Sequence, residues 1–316
     1  MRTGIPLAAT LGLALFAGPG LPACAAQEAM PMHGGHMHHA EAPVAAPTLT
    51  AKARAQLGEA RRATAALATP EAAVAAGYRP MFGYVPLQGE HYVRLDLVAG
   101  DHFDPAQPSV LMFAPMDGRP KLVGVAYAYA HPAGAPVPSG FDHAEDVWHT
   151  HPELSRSPDR ELVMMHAWFV DTPGGPFARH HPGLPYLAAG LTQPAPSVWS
   201  TPAAAEKAYA LGLALAQVTE PPLPFKVLDQ RGGDALRQKT EPHRQAIRAL
   251  VPGLKQAQRS GDRAAYDRLA AEAVAHSQAV LDAYRQAAGR SPWSQRALDR
   301  TLNEFMGREE AHAHSM

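Results

Sequence analysis

The chain has 316 residues, a formal net charge of −1 and a single cysteine. A nearly neutral chain without basic blocks lacks the electrostatic footprint of a nucleic-acid-binding protein, so we expect no nucleic acid as a partner. One cysteine permits no internal disulfide, and the length suffices for one large domain or two smaller ones.

Residues 1–26 have the layout of a signal peptide. Arg2 provides the positive start, and an apolar segment over residues 5–18 follows that is too short to span a bilayer comfortably. Residues 23–25, Ala-Cys-Ala, fit a peptidase site between small residues, whereas the segment that ends at Cys24 fits a lipobox, with Cys24 as the lipidated first residue. We therefore expect a periplasmic protein, either soluble or tethered to the outer membrane as a lipoprotein.

Residues 27–48 are predicted to be a disordered tail, because they are rich in Ala, Pro, Met and His and lack an apolar period. Soft and borderline metal ligands are concentrated in its centre: Met30, Met32, His33, His36, Met37, His38 and His39. Thioethers and imidazoles together are the ligand set of copper above all, and the imidazoles alone would also hold zinc. The pattern indicates a metal-binding tail; the alternative is compositional drift in a secreted segment.

Residues 49–200 are predicted to be an α+β domain. A helix over residues 50–76, interrupted at Thr69-Pro70, ends at Gly77, a helix-terminating glycine. Short strands follow, and Asp117-Gly118 indicates a hairpin. The predicted strands are residues 81–86, 91–97, 109–114, 121–130, 147–151 and 162–170, the last of them central in the sheet because it is apolar on both faces.

Helices return after a predicted loop over residues 171–200. Apolar stripes at helical spacing occur in residues 202–219, from Thr240 onward, and after the N-cap signal at Asp262. Residues 201–316 are therefore predicted to be a helical hairpin or bundle. The expected fold class is α+β, a small, mainly antiparallel sheet with an N-terminal helix, followed by the C-terminal helices.

Four histidines of the strand region are candidate metal ligands. His149 and His151 alternate along one predicted strand, so both imidazoles leave the same side at the spacing that two ligands need. His166 lies in the middle of a strand and His91 opens one, and either ring could converge with that pair. The alternative is a polar edge strand for the pair and ordinary core packing for the other two. Upstream, further oxygen and nitrogen ligands are available from Asp142, His143, Glu145 and Asp146.

The other histidines carry weaker predictions. His180 and His181 lie in a loop and are expected to be exposed. No partner at ligand spacing is evident in the sequence for His102, His131, His243 and His276. The chain contains no serine nucleophile elbow, zinc-protease motif, P-loop or dinucleotide fingerprint, so no catalytic residue is assigned.

Short motifs follow one another through the middle of the chain: Gly89-x-His91-Tyr92-Val93, Phe103-Asp104-Pro105, Leu122-Val123-Gly124 and His166-x-Trp168. In this order they resemble an uncharacterised family of exported bacterial proteins, over roughly residues 64–185. The family has no assigned reaction, so the resemblance implies no catalytic residue, but it places two candidate histidines inside shared motifs. The family has Asn-Pro where this chain has His181-Pro182, and it lacks the histidine pair at 149 and 151.

Three functions remain open from the sequence. The favoured one is an exported metal-binding protein that handles copper in the periplasm. The second is a metal-dependent enzyme of unknown substrate, in which an open coordination position activates water or oxygen and Asp142 or Glu145 acts as a base. The third is a structural or interaction module without a folded metal site.

Overall fold

The computed structural model describes residues 48–85, 87–100, 102–116, 118–142, 148–151, 157–219 and 223–289, together with residues 295, 296, 298, 299, 302 and 303. The predicted signal peptide with Cys24 and the predicted Met/His ligands of the tail lie outside the described residues. So do His143, Glu145 and Asp146.

Six antiparallel strands form one sheet in the order β1-β2-β3-β4-β6-β5. The strands are β1 (Arg79–Val85), β2 (Gly89–Val93), β3 (Val110–Met116), β4 (Arg119–Pro132), β5 (His149–His151) and β6 (Arg160–Trp168). The antiparallel sheet predicted from the alternating segments is confirmed. β6 is paired on both sides, as its two apolar faces predicted, and β5 is an edge strand.

The N-terminal helical region covers one face of the sheet. Helix α1 (Ala51–Thr64) begins at Thr50, whose hydroxyl accepts a hydrogen bond from the Ala53 amide at 2.9 Å. A 3₁₀ turn (Ala65–Leu67) separates it from α2 (Pro70–Ala75), so the predicted interruption is confirmed. The buried side of α1 packs against aromatic side chains of this face, among them Tyr92, Phe113 and Tyr127.

The opposite face of the sheet carries all four candidate histidines, and β4 contributes small side chains to it. On β4, Ala126 and Ala128 point to this face, and Leu184 of the short helix α4 (Leu184–Ala188) packs against them. The sequence pattern of β4, large residues alternating with small ones, therefore divides the sheet into an aromatic face and a histidine face.

Further helices follow the sheet: α5 (Pro196–Trp199), α6 (Pro202–Thr219), α7 (Leu223–Ser260) and α8 (Arg263–Ala288). The bounds of α6 are as predicted, and Asp262 caps α8 by accepting from the Ala265 amide. The predicted loop over residues 171–200 was wrong in part, because α4 and α5 lie within it, each with a proline in its first turn.

Two further boundaries differ from the prediction. The helix expected to start at Thr240 begins at Leu223 and is broken at Gly233, whose φ is +68°. Thr240 is buried, and its hydroxyl donates to the Leu236 carbonyl at 2.9 Å, so this residue lies inside a helix and does not cap one. The strand predicted to reach Leu97 stops at Val93 and gives way to the short helix α3 (Leu95–Val98). Over the described residues, no helix has the length and apolar character to cross a membrane.

Candidate metal centre

Side chains from three strands bring the four candidate histidines together. The ring centroid of His149 lies 4.9 Å from that of His151 and 5.0 Å from that of His166. His91 reaches the group from β2, with its ring 6.2 Å from His166. The edge position of β5 follows from its pairing with β6 alone, and this pairing places His149 directly opposite Met164. The rings of all four candidate histidines therefore form one cluster, named here the sheet cluster.

Methionine side chains lie on the same face as the sheet cluster. Met112 is the cross-strand partner of His91 and also of Gly124. A Cβ atom at Gly124 would lie 2.7 Å from Met112 Cε, so the Met112 side chain lies over this glycine. Met112 and Met164 are both buried in the core of the histidine face. Two thioethers are thus available beside the imidazoles.

Backbone carbonyls determine the tautomers of two rings. His166 Nδ1 donates to the Arg179 carbonyl at 2.7 Å, and His91 Nδ1 donates to the Gly89 carbonyl at 3.2 Å. Because a carbonyl oxygen only accepts, the proton lies on Nδ1 and the lone pair lies on Nε2 in both rings. Nε2 of His166 is buried and has no hydrogen-bond partner within the described residues. Histidine ligands of metal ions are held in this way, with one nitrogen bonded to a carbonyl and the other directed to the ion.

Burial keeps His91 and His166 uncharged. It lowers the pKa of His91 to about 4, an effect that the nearby His151 ring reinforces. It also holds the pKa of His166 well below its ordinary value, with further lowering by His149 and His91. Near neutral pH both imidazoles are therefore the free base, which is the form that binds a metal ion.

A fifth histidine joins the cluster from the segment that precedes α4. Two hydrogen bonds hold this segment against β6. The Trp168 indole donates to the Ala178 carbonyl at 2.6 Å, and His166 donates to the Arg179 carbonyl. His180 follows directly, close enough to His151 and His166 to interact electrostatically with both, and burial lowers its pKa to about 3. Trp168 is the sequence signal that could have indicated the burial of this segment, because a buried indole needs a polar partner.

The prediction that His180 and His181 are exposed was wrong. His181 is fully buried, with its ring 5.1 Å from the Trp168 ring, edge to face. Burial lowers the pKa of His181 to about 4. The reason is again the contact of this segment with β6, which buries His181 and half-buries His180.

The spacing of the rings is close to that of a metal centre, but their orientation is not. Two imidazoles bound to one tetrahedral ion at about 2.0 Å have ring centroids roughly 5 Å apart. The distances from His149 to His151 and to His166 match this value. As the side chains stand, no group of three or more His, Cys, Asp or Glu residues in the described part of the chain is arranged to hold a metal ion. An ion would therefore require some of the rings to turn.

Other predicted residues lie away from the cluster. Asp142 is held at the start of α1, where the Thr50 hydroxyl donates to its carboxylate at 2.7 Å, and α1 covers the aromatic face. Asp142, predicted as a possible ligand or base, is thus held beside the helix that covers the other face of the sheet. His243 and His276, for which the sequence showed no partner at ligand spacing, lie beside each other, with 3.0 Å between their Nδ1 atoms.

Comparisons of the chain with protein-family models, with curated proteins and with solved structures found no match. The resemblance to an exported bacterial family stays a prediction. What the site does must therefore be argued from its own residues.

Proposed function

We propose that the protein is an exported metal-binding protein, in which the sheet cluster holds a transition-metal ion, copper in the first instance. The observation that supports this most directly is the meeting of His91, His149, His151 and His166 on one buried face of the sheet. In this proposal the Met/His tail captures ions outside the cytoplasm and the sheet cluster retains them.

The free-energy cost of the sheet cluster favours a ligand over simple packing. A buried polar atom without a hydrogen-bond partner costs about 1–3 kcal/mol, and apolar side chains of similar shape would avoid that cost. His166 Nε2 is such an atom when the partners are sought in the described part of the chain. Coordination to an ion would satisfy this lone pair without disturbing the Nδ1 bond to Arg179.

Copper is favoured over zinc by the sulfur ligands. Met112 and Met164 lie on the same buried face as the imidazoles, and the tail repeats the combination of Met with His. Thioethers are soft ligands that favour Cu(I), whereas zinc would be held by the imidazoles alone. Zinc is therefore the second candidate metal.

In this proposal the rings of His149 and His151 turn to bind the ion, while His91 and His166 stay in place. His149 and His151 are on the three-residue edge strand β5, whose ladder in the described part of the chain is with β6. His166 and His91 keep their Nδ1 bonds, which leaves Nε2 as the ligating atom of each. Turning the two β5 rings toward His166 Nε2 would create a site with three imidazoles, and His91 or a thioether would be the fourth ligand.

Metal analysis of three variants of the full-length chain tests the proposal. In the first, the tail histidines are changed to Ala and the tail methionines to Leu; the second adds His149→Asn and His151→Asn; the third adds His102→Asn instead. His102 is exposed and lies outside the cluster, so it is the matched control. We expect the first and third variants to retain bound copper after dialysis and the second to hold one ion fewer. Equal copper content in all three would contradict the proposal.

A further inference from the structure

The helical region contains a second pair of histidines that the sheet cluster does not use. His243 on α7 and His276 on α8 face each other across the antiparallel hairpin that turns at Gly261. Their Nδ1 atoms lie 3.0 Å apart, their ring centroids are 5.4 Å apart, and the two ring planes are inclined by 49°. Both side chains are half-buried, so solvent and small ions can reach them.

Buried contacts on both sides keep the two helices in register at this level. Arg244, the neighbour of His243, forms an ion pair with Asp229 at 3.0 Å, and the Tyr284 hydroxyl of α8 donates to the same carboxylate at 2.9 Å. Ser277, the neighbour of His276, accepts from Gln217 of α6 at 2.8 Å. The spacing of the two imidazoles is therefore set by the packing of three helices.

That spacing is the one that two nitrogen ligands of a single ion adopt. With bonds of about 2.0 Å, two such nitrogens lie about 2.8–3.3 Å apart, depending on whether the angle at the metal is square or tetrahedral. The 3.0 Å separation of the Nδ1 atoms falls inside this range. Without an ion, the same distance is spanned by a hydrogen bond in which one ring donates and the other accepts.

We propose that His243 and His276 form a second transition-metal site, which binds a divalent ion such as Zn²⁺ between α7 and α8. The two Nδ1 atoms are the protein ligands, and water fills the remaining positions. Because the unfolded chain does not hold the two rings together, the ion stabilises the folded hairpin by mass action. This site does not depend on the sheet cluster, so either proposal can fail without the other.

Hydrogen exchange of the full-length chain, with the tail ligands replaced as above, tests the site. At a free Zn²⁺ concentration about ten times the dissociation constant, we expect amide exchange in α7 and α8 to slow about tenfold. His276→Asn and, separately, His243→Gln should each abolish this protection and remove one bound zinc ion. Both positions are half-buried on helices, so the variants should fold, and the unchanged exchange of α6 and β6 without zinc verifies this.

His102→Asn is the control, because it removes an exposed imidazole from another part of the chain. It should leave the zinc-dependent protection unchanged. If zinc fails to slow exchange in α7 and α8, or if the protection survives both substitutions, the pair is a hydrogen bond alone and the proposal is overturned.

Discussion

Single backbone carbonyl oxygens determine which ring nitrogen is available in two buried imidazoles. His91 and His166 both donate through Nδ1 to carbonyls, and for His91 that carbonyl belongs to Gly89. Gly89 itself has a φ of +85°, and a Cβ added there would lie 2.5 Å from the Phe113 carbonyl oxygen. The orientation of His91 therefore depends on a position that only glycine fills without strain.

Gly89→Ala is expected to lower the free energy of unfolding by more than about 2 kcal/mol, since the backbone strain and the clash with Phe113 add up. Gly118→Ala is the matched control: its φ is +75°, but nothing lies within 4 Å of an added Cβ. That variant should lose only about 1 kcal/mol. Urea denaturation measures both, and equal losses would mean that the close approach at Gly89 does not matter.

At the level of single residues, the sequence was informative about some of the histidines. Alternation predicted that His149 and His151 share a side of one strand, and the structure has them so. His180 was missed, because its place depends on the bonds that Trp168 and His166 make to carbonyls ten or more residues away in the chain. Such bonds leave no local pattern.

Among the helices, α7 depends on an interaction between residues on either side of its break. Its first part precedes the break at Gly233 and is joined to its second part by the ion pair between Asp229 and Arg244. Burial raises the pKa of Asp229, while the Arg244 guanidinium lowers it. Burying the ion pair costs free energy, and removing one partner of the buried pair costs more.

Asp229→Asn should therefore lower the free energy of unfolding by about 3–5 kcal/mol, because it leaves the Arg244 charge buried without its partner. The exposed pair of Glu241 with Arg248, at 2.8 Å, provides the control. Glu241→Gln should change stability by less than about 1 kcal/mol. Thermal or urea unfolding measures the difference, and a small effect of Asp229→Asn would show that Arg244 finds another partner.

The elements with a strong local period were predicted well. α6 has the predicted bounds, and all six strands are present, because apolar periodicity and turn residues act over a few neighbours. The start of α7 was predicted wrongly from Thr240-Glu241-Pro242, a sequence that usually caps a helix. Here the packing of α7 against α8 continues the helix through it.

At the scale of the whole molecule, burial lowers the pKa of several imidazoles among the described residues. Burial lowers the pKa of His91 and of His181 to about 4 and that of His180 to about 3, from an ordinary value of 6.5. At pH values between the folded and the ordinary pKa, these imidazoles bind protons in the unfolded chain but remain neutral in the folded protein. Stability is therefore full above pH 6.5 and is lost progressively as the pH falls toward 4.

The metal-free protein is thus expected to lose stability steeply between about pH 6.5 and pH 4, with His181 alone contributing up to about 3 kcal/mol. His181→Phe keeps a ring beside Trp168 but removes the titrating group. Its stability, measured by urea unfolding at several pH values, should fall less over this range than that of the natural protein. Parallel profiles for the two proteins would show that His181 does not contribute.

By itself, the sequence determined the class of the fold and identified four histidines that converge. Alternation and helical period act between neighbouring residues, so they were sufficient for the sheet, for α6 and for the shared side of His149 and His151. Only the tertiary structure decided that these four rings meet, that His180 joins them and that His243 lies against His276. Each of those contacts joins residues far apart in the chain, and it exists because buried strands and helices pack in one particular order.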